Sequence, residues 1–141
     1  MLRYMLDTDI CTYTIKSRPP ELRALFNDRA DSLCVSSVTL TEPYFGAEKS
    51  TRPDHNLSVV EGFAARLETI PFDSRAAAHY GQIRATLQRH GTPIGPYDLM
   101  IAAHARAEGL ALVSNNVREC ARVDGLRIDN WLDDGRHPGR T

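Results

Sequence analysis

No apolar run in the 141-residue sequence approaches the ~20 residues that cross a bilayer as a helix. A helical membrane protein is thereby excluded. There is no surplus of charge either: 17 Lys and Arg stand against 18 Asp and Glu, a net charge of −1. Broad electrostatic binding of nucleic acid leaves a basic footprint, and this balance carries none. Cysteine is scarce. Cys11, Cys34 and Cys120 lie at no metal-ligand spacing, and the five His residues pair with neither Cys nor one another, which argues against a zinc site. An odd, small number of thiols fits reduced cysteines in a cytoplasmic protein. The first acid, Asp7, comes too early for the apolar core of a secretion signal. Internal repeats, low-complexity segments and linkers are absent.

What is present is ordinary globular composition, 42% hydrophobic and 25% charged, at a length that suits one domain with its own core. Short continuous apolar runs at Arg3–Leu6, Leu33–Ser36, Thr69–Phe72, Leu110–Ser114 and Leu126–Ile128 read as strands buried on both faces. Helical patterns lie between them. One opens at Pro19-Pro20-Glu21, and a second carries the stripe Leu57, Val60, Ala64, Leu67. A third runs from an N-cap at Ser74 to about Gln88 and ends at Gly91. The fourth, Tyr97 to Glu108, is apolar almost all round and closes at Gly109. The alternation predicts a three-layer α/β domain over residues 1–132, a short central, mostly parallel sheet flanked by helices, with 133–141 as a loose tail.

In open α/β sheets ligands bind beyond the carboxyl ends of the strands, so polar residues there carry most weight. The first strand runs into Asp7-Thr8-Asp9, the second into Ser36 through Glu42, and the fourth into Ser114-Asn115-Asn116 with Glu119 a turn later. Asp98 opens the apolar helix that leads to the fourth strand. Clustered carboxylates repel one another unless cations sit among them, and oxygen donors without His or Cys suit Mg²⁺ or Mn²⁺. Such ions polarise a phosphodiester and lower the pKa of a bound water, so the pattern points to metal-assisted phosphodiester hydrolysis.

Each position also has a purely structural role open to it. Asp9 suits a helix cap, Glu42 completes a capping box Thr39-x-x-Glu42, Asp98 suits a helix dipole, and Asn115-Asn116 suits a turn. The stretch from Ser74 to Gly91 holds Arg75, Arg84, Arg89, His79 and His90 without one acid. It reads either as a solvated helix face or as a phosphate-contacting strip, extended by Lys16 and Arg18.

Four segments in order carry a resemblance. They are Met5-Leu6-Asp7-Thr8-Asp9, Ser36 through Glu42 into Gly46-Ala47-Glu48-Lys49-Ser50, Pro93-Ile94-Gly95-Pro96-Tyr97-Asp98 through Ala105, and Val113 through Glu119. Together they resemble the PIN-domain ribonuclease toxins of VapBC toxin–antitoxin systems, especially the VapC branch of enteric bacteria, over about residues 2–132. The resemblance implies a PIN-like fold and a Mg²⁺- or Mn²⁺-dependent endoribonuclease. It implies a VapB-type antitoxin as inhibitor, a homodimer and toxin–antitoxin hetero-oligomers. It further implies a transfer RNA substrate, cut in the anticodon stem-loop. By motif, Asp7 and Asp98 would hold the metal with Glu42 as third carboxylate. Asn116 would take the fourth catalytic position, and Thr8, Ser114, Asn115 and Glu119 would support them.

Pro43 and Cys120 depart from that pattern. Pro43 would kink a helix starting at Ser37 but sit harmlessly in one starting near Thr41. Cys120 replaces an aromatic anchor, which predicts looser packing. Two other readings stay beside the first. One is a catalytically impaired PIN module that binds RNA or protein. The other is a phosphatase of the haloacid-dehalogenase type, whose Asp-x-Asp start is followed here by Cys11 instead of Thr or Val.

Overall fold

The computed structural model describes residues 1–16 and 20–131. The expected tail at 133–141, and Arg18 and Pro19, lie outside the described residues. All five expected strands form, as β1 (Tyr4–Leu6), β2 (Leu33–Ser36), β3 (Glu68–Ile70), β4 (Ala111–Val113) and β5 (Ile128–Asp129). They make one sheet in the order β3-β2-β1-β4-β5, and every pairing is parallel. Seven helices are described around it: α1 (Thr8–Ile15), α2 (Pro20–Asp28), α3 (Ser37–Glu48), α4 (Pro53–Ala64), α5 (Ser74–Arg89), α6 (Pro96–Glu108) and α7 (Val117–Cys120). Among the described residues no helix is long and apolar enough to cross a membrane.

Side chains alternate across the strands with period two and divide the core into two halves. Met5, Cys34 and Leu112 join Ile83 and Leu87 of α5 and Leu99, Ile101 and Ala102 of α6 on one face. Leu6, Leu33, Val35 and Val113 join Ile10, Leu22, Phe26, Phe63 and Trp131 on the other. Helices cover both faces of β1, β2 and β4, which is why these strands read as apolar runs. The edge strand β3, expected to be buried on both faces, is mostly exposed because nothing among the described residues pairs beyond it. Cys120 is buried within the first half, at 2% exposure.

Helix starts differ from the sequence reading in instructive ways. Asp7, not Asp9, caps α1 by accepting the Ile10 N–H at 2.9 Å. Asp73, not Ser74, caps α5 by accepting the Ala76 N–H at 3.1 Å. In both cases a carboxylate one or two residues upstream takes the orphan amide. Pro53 starts α4 four residues before the Leu57 stripe, since its missing N–H is harmless at a first helical position. Ser36 caps α3, whose first residue is Ser37. Thr39 therefore lies inside the helix, the Thr39–Glu42 capping box does not form, and Pro43 sits in the helix interior.

α6 is built for burial. Pro96 opens it behind Gly95, and Gly109 closes it in the left-handed region at φ 70°. Along it Ile101, Ala102, Ala103 and Ala105 are all essentially buried, so small side chains let the helix lie close to its neighbours.

Candidate metal-dependent nuclease site

The strand order reverses direction at β1. The chain moves from β1 through β2 to β3, then returns to β4 on the other side of β1. Such a switch leaves a crevice beyond the carboxyl ends of the two strands that flank it. Asp7 follows β1 at that edge, and Ser114 follows β4. The Asp7 N–H donates to the Val113 carbonyl at 3.0 Å, which continues the β1–β4 ladder into the site.

Asp7 is only 5% exposed. Burial is the main cause that raises its pKa, to about 6, and the charges of Asp9 and Asp98 push the same way. Hydrogen bonds from Ser114 and from the Ile10 N–H oppose the rise. Asp98 is half-buried in the first turn of α6. Its pKa is raised by burial first, then by Glu119 and Asp9, against a hydrogen bond from Asn116. That bond runs from Asn116 Nδ2 to Asp98 Oδ2 at 3.4 Å, and the same amide also donates to Glu119 Oε2. Asn116 is placed by its own N–H, which donates to Ser114 Oγ at 2.9 Å. Cys120 Sγ lies 3.8 Å from the same hydroxyl. Ser114 is thus a buried junction between Asp7, the Asn116 segment and α7.

The structure brings Asp7, Asp98, Ser114, Asn116 and Glu119 into one neighbourhood. Asp9, which the sequence placed at this strand end with a helix cap as its other role, joins it through its charge on both aspartates. The Asp-x-Asp spacing at a strand end was the available signal, since two residues of helix turn Asp9 away from Asp7 without removing it from the edge. Glu42 stands exposed in the second turn of α3 and has no hydrogen-bond or ion-pair partner among the described residues. Thr8 contributes its carbonyl to the Thr12 hydroxyl at 3.1 Å, and Asn115 is exposed.

The three arginines do not share one face. At about 100° per residue, Arg75 and Arg84 fall about 180° apart on α5. Arg75 turns to the end of α6, donating to the Ala107 carbonyl and lying 3.6 Å from Glu108. Arg89 donates to Thr86 Oγ1. Arg84 lies over the Tyr80 ring and donates to its hydroxyl at 3.1 Å. Arg84 and Tyr80 line a cleft with Pro93, Ile94, Pro96 and Leu99, which leads to the start of α6 that carries Asp98.

Among the described residues no three His, Cys, Asp or Glu side chains come together closely enough to hold a metal ion by themselves. The donors form an open set instead: two desolvated carboxylates, two further acids and an amide. Mg²⁺ characteristically keeps several waters and takes one or two carboxylates, so these donors fit it.

Known proteins place this arrangement. The PIN domain family matches residues 4–126. The tRNA(fMet)-specific endonuclease VapC of Salmonella typhimurium is 54% identical over 131 residues, covering 93% of this chain and 99% of that protein. Ribonuclease VapC2 of Haemophilus influenzae is 52% identical over 132 residues, covering 94% of this chain and all of its own. The fold superposes on a chain in the crystal structure of DNA-bound VapBC from Salmonella typhimurium with a TM-score of 0.89 and 54% identity, over 93% of this chain and 99% of that one. The chain belongs to the PIN-domain family, among its VapC ribonucleases.

Proposed function

We propose that this chain is the endoribonuclease toxin of a VapBC toxin–antitoxin module, acting on a transfer RNA and held inactive by a VapB-type antitoxin. The observation that carries the reading is the meeting of Asp7 and Asp98 at the switch point of the sheet, with burial raising Asp7 to about 6. Buried like charges at a crevice are unfavourable without a counter-ion, and a divalent cation supplies one. A bound Mg²⁺ or Mn²⁺ lowers the pKa of water and polarises the scissile phosphate.

Asp7 and Asp98 would hold the ion, and Glu42, exposed on α3, would serve as the third carboxylate, directly or through water. Ser114 and the Ile10 N–H fix the Asp7 carboxylate from behind and keep it from turning out of the crevice. Asn116 bridges Asp98 and Glu119 and sets the direction of the Asp98 oxygens. Asp9 and Glu119 keep the local charge negative, which favours a cation over a second anion. Arg84, beside the cleft that leads to α6, contacts RNA phosphate; Arg75 is committed to the end of α6. The near-neutral total charge then results from separated patches, with acids around the metal and cations on α5.

The relatives from Salmonella typhimurium and Shigella flexneri are named for tRNA(fMet), and the initiator transfer RNA anticodon stem-loop is the substrate to try first. The decisive measurement is cleavage of that stem-loop with Mg²⁺ by the purified chain and by Asp7→Asn. Cleavage by the first and not the second is expected. Equal, negligible cleavage by both would sink the enzyme reading and leave an RNA- or protein-binding module.

A further inference from the structure

His104 is fully buried in the middle of α6, and its Nδ1 lies 2.8 Å from Ser36 Oγ, 68 positions away in sequence. Ser36 is the residue whose hydroxyl accepts the Val38 N–H and so starts α3. One hydrogen bond therefore joins the helix that carries Asp98 to the first turn of the helix that carries Glu42. The other ring nitrogen, Nε2, is buried without a hydrogen-bond partner. Thr39 Oγ1, one turn into α3, is buried in the same condition. Buried polar atoms left unpaired cost stability, and an apolar side chain among the alanines of α6 would avoid that cost. What His104 supplies that an apolar residue does not is a directional tie to Ser36.

α3 has particular need of that tie. Pro43 has no N–H to give the Thr39 carbonyl, so the helical ladder loses a bond just after Glu42, while the turn from the cap to Glu42 stays in the ladder. With less support from the rest of α3, the position of Glu42 follows the anchors at the start of the helix. Two anchors are present at its start. Ser37 Oγ accepts the Phe72 N–H at 3.1 Å, and Ser36 meets His104. Phe72 in turn packs edge-on against the His104 ring at 5.4 Å between centroids, so both anchors close on the imidazole. Burial lowers the pKa of His104, against the charges of Glu108 and Asp73 and with that of Arg75. That shift favours the uncharged ring in its Nδ1 bond with Ser36.

We propose that His104 is a positioning residue for the nuclease site, its bond to Ser36 fixing α3 against α6 and so fixing Glu42 relative to Asp98. Each carboxylate lies six positions from the bond, about 9 Å along its own helix, so a small change of angle at the bond moves Glu42 relative to Asp98. This rests on the nuclease reading given above.

The test compares His104→Leu, which keeps volume and removes the bond, with His104→Asn, which keeps a polar atom near the place of Nδ1. Three quantities are read on the full chain: kcat and KM on the stem-loop RNA, Mn²⁺ affinity without RNA by electron paramagnetic resonance, and Tm. His104→Leu is expected to lower kcat and Mn²⁺ affinity by about tenfold, the range of lost outer-shell partners of a metal site. KM should stay within about twofold, and His104→Asn within about threefold of wild type in kcat and Mn²⁺ affinity, both small against that tenfold loss. His104→Leu with wild-type kcat and Mn²⁺ affinity overturns the proposal, whatever its Tm. So does His104→Asn as impaired as His104→Leu. Should His104→Leu fail to fold, Ser36→Ala leaves the imidazole in place. The same kcat and Mn²⁺ losses there support the bond, and wild-type values overturn it. If wild type itself neither binds Mn²⁺ nor exceeds Asp7→Asn in cleavage, the nuclease reading falls and this proposal with it.

Discussion

The two ends of α6 treat polar groups in opposite ways. At its start, by the carboxyl edge of the sheet, Asp98 meets acids of the same sign: Asp9 and Glu119 raise its pKa, and Asp9 and Asp98 raise that of Asp7. At its end polar groups of opposite character meet. Arg106 donates to His79 Nδ1 at 2.9 Å, to the Asp124 carbonyl at 3.0 Å and to Gln82. Arg75 reaches the Ala107 carbonyl, and Arg127 donates to the Gly109 carbonyl at 2.7 Å, so the last carbonyls of the helix have cationic partners. One end costs stability without a cation; the other contributes it. A single helix thus separates chemistry from cohesion by about 20 Å, the length of some thirteen residues.

Substitutions at the two ends should therefore have opposite signatures, and four predictions follow from strongest to weakest. Asp98→Asn removes a carboxylate that metal needs, so cleavage should fall by about 100-fold or more, roughly 3 kcal/mol of barrier. Its Tm in EDTA should be equal to wild type or higher, because repulsion is relieved. A large fall in Tm would make Asp98 a structural residue and abolish the contrast.

Next comes the pH dependence of the metal-free protein. The folded pKa of Asp7, about 6, lies above the unfolded value of 3.8. The folded state therefore holds the Asp7 proton more tightly than the unfolded state does. That contribution is complete below the unfolded pKa and is lost as pH rises to the folded one. Between about pH 4 and pH 6 it removes about 3 kcal/mol at about 1.4 per pH unit. Relative to wild type, Asp7→Asn should gain that much over the same window in urea titrations with EDTA. A pH-independent difference between the two proteins would contradict the buried assignment of Asp7.

At the other end, Arg106→Ala should cost about 1–2 kcal/mol through its lost charge-assisted bonds, with the stem-loop cleaved as by wild type. Loss of activity without loss of stability would reverse the roles assigned to the two ends. The smallest effect distinguishes two arginines of α5. Arg84→Ala should weaken RNA binding and reduce the salt slope by about one unit, and Arg75→Ala should leave the slope alone. Equal slopes for both variants would return Arg84 to the solvated face of α5.

Much of the arrangement is legible in the residues. Met5-Leu6, Cys34-Val35 and Leu112-Val113 are apolar on both sides, and only a sheet covered by helices on both faces uses such pairs. Helix boundaries were less legible, because several residues compete for each cap. Asp73 takes the amide that Ser74 is equally suited to take, and Ser36 starts α3 ahead of Thr39. The start of α3 decides the position of Pro43, and no local signal separates Ser37 from Thr41 as its first residue. The grouping of Arg75, Arg84 and Arg89 reads as a strip in sequence and divides between opposite sides of α5 in space.

The sequence by itself determined the alternating α/β order, the polar residues at the strand ends and the family of the chain. These depend on local periodicity and on short motifs that survive without long-range information. Tertiary structure alone decided that the charge of Asp9 acts on both Asp7 and Asp98, and which contacts Ser114 and Glu119 make there. It decided as well that His104, one buried side chain in an apolar helix, meets the cap of α3. Those relations depend on the return of the chain from β3 to β4 across β1. That crossover juxtaposes residues with no sequence proximity, and like charges and buried polar atoms reveal their energetic meaning only once they are neighbours.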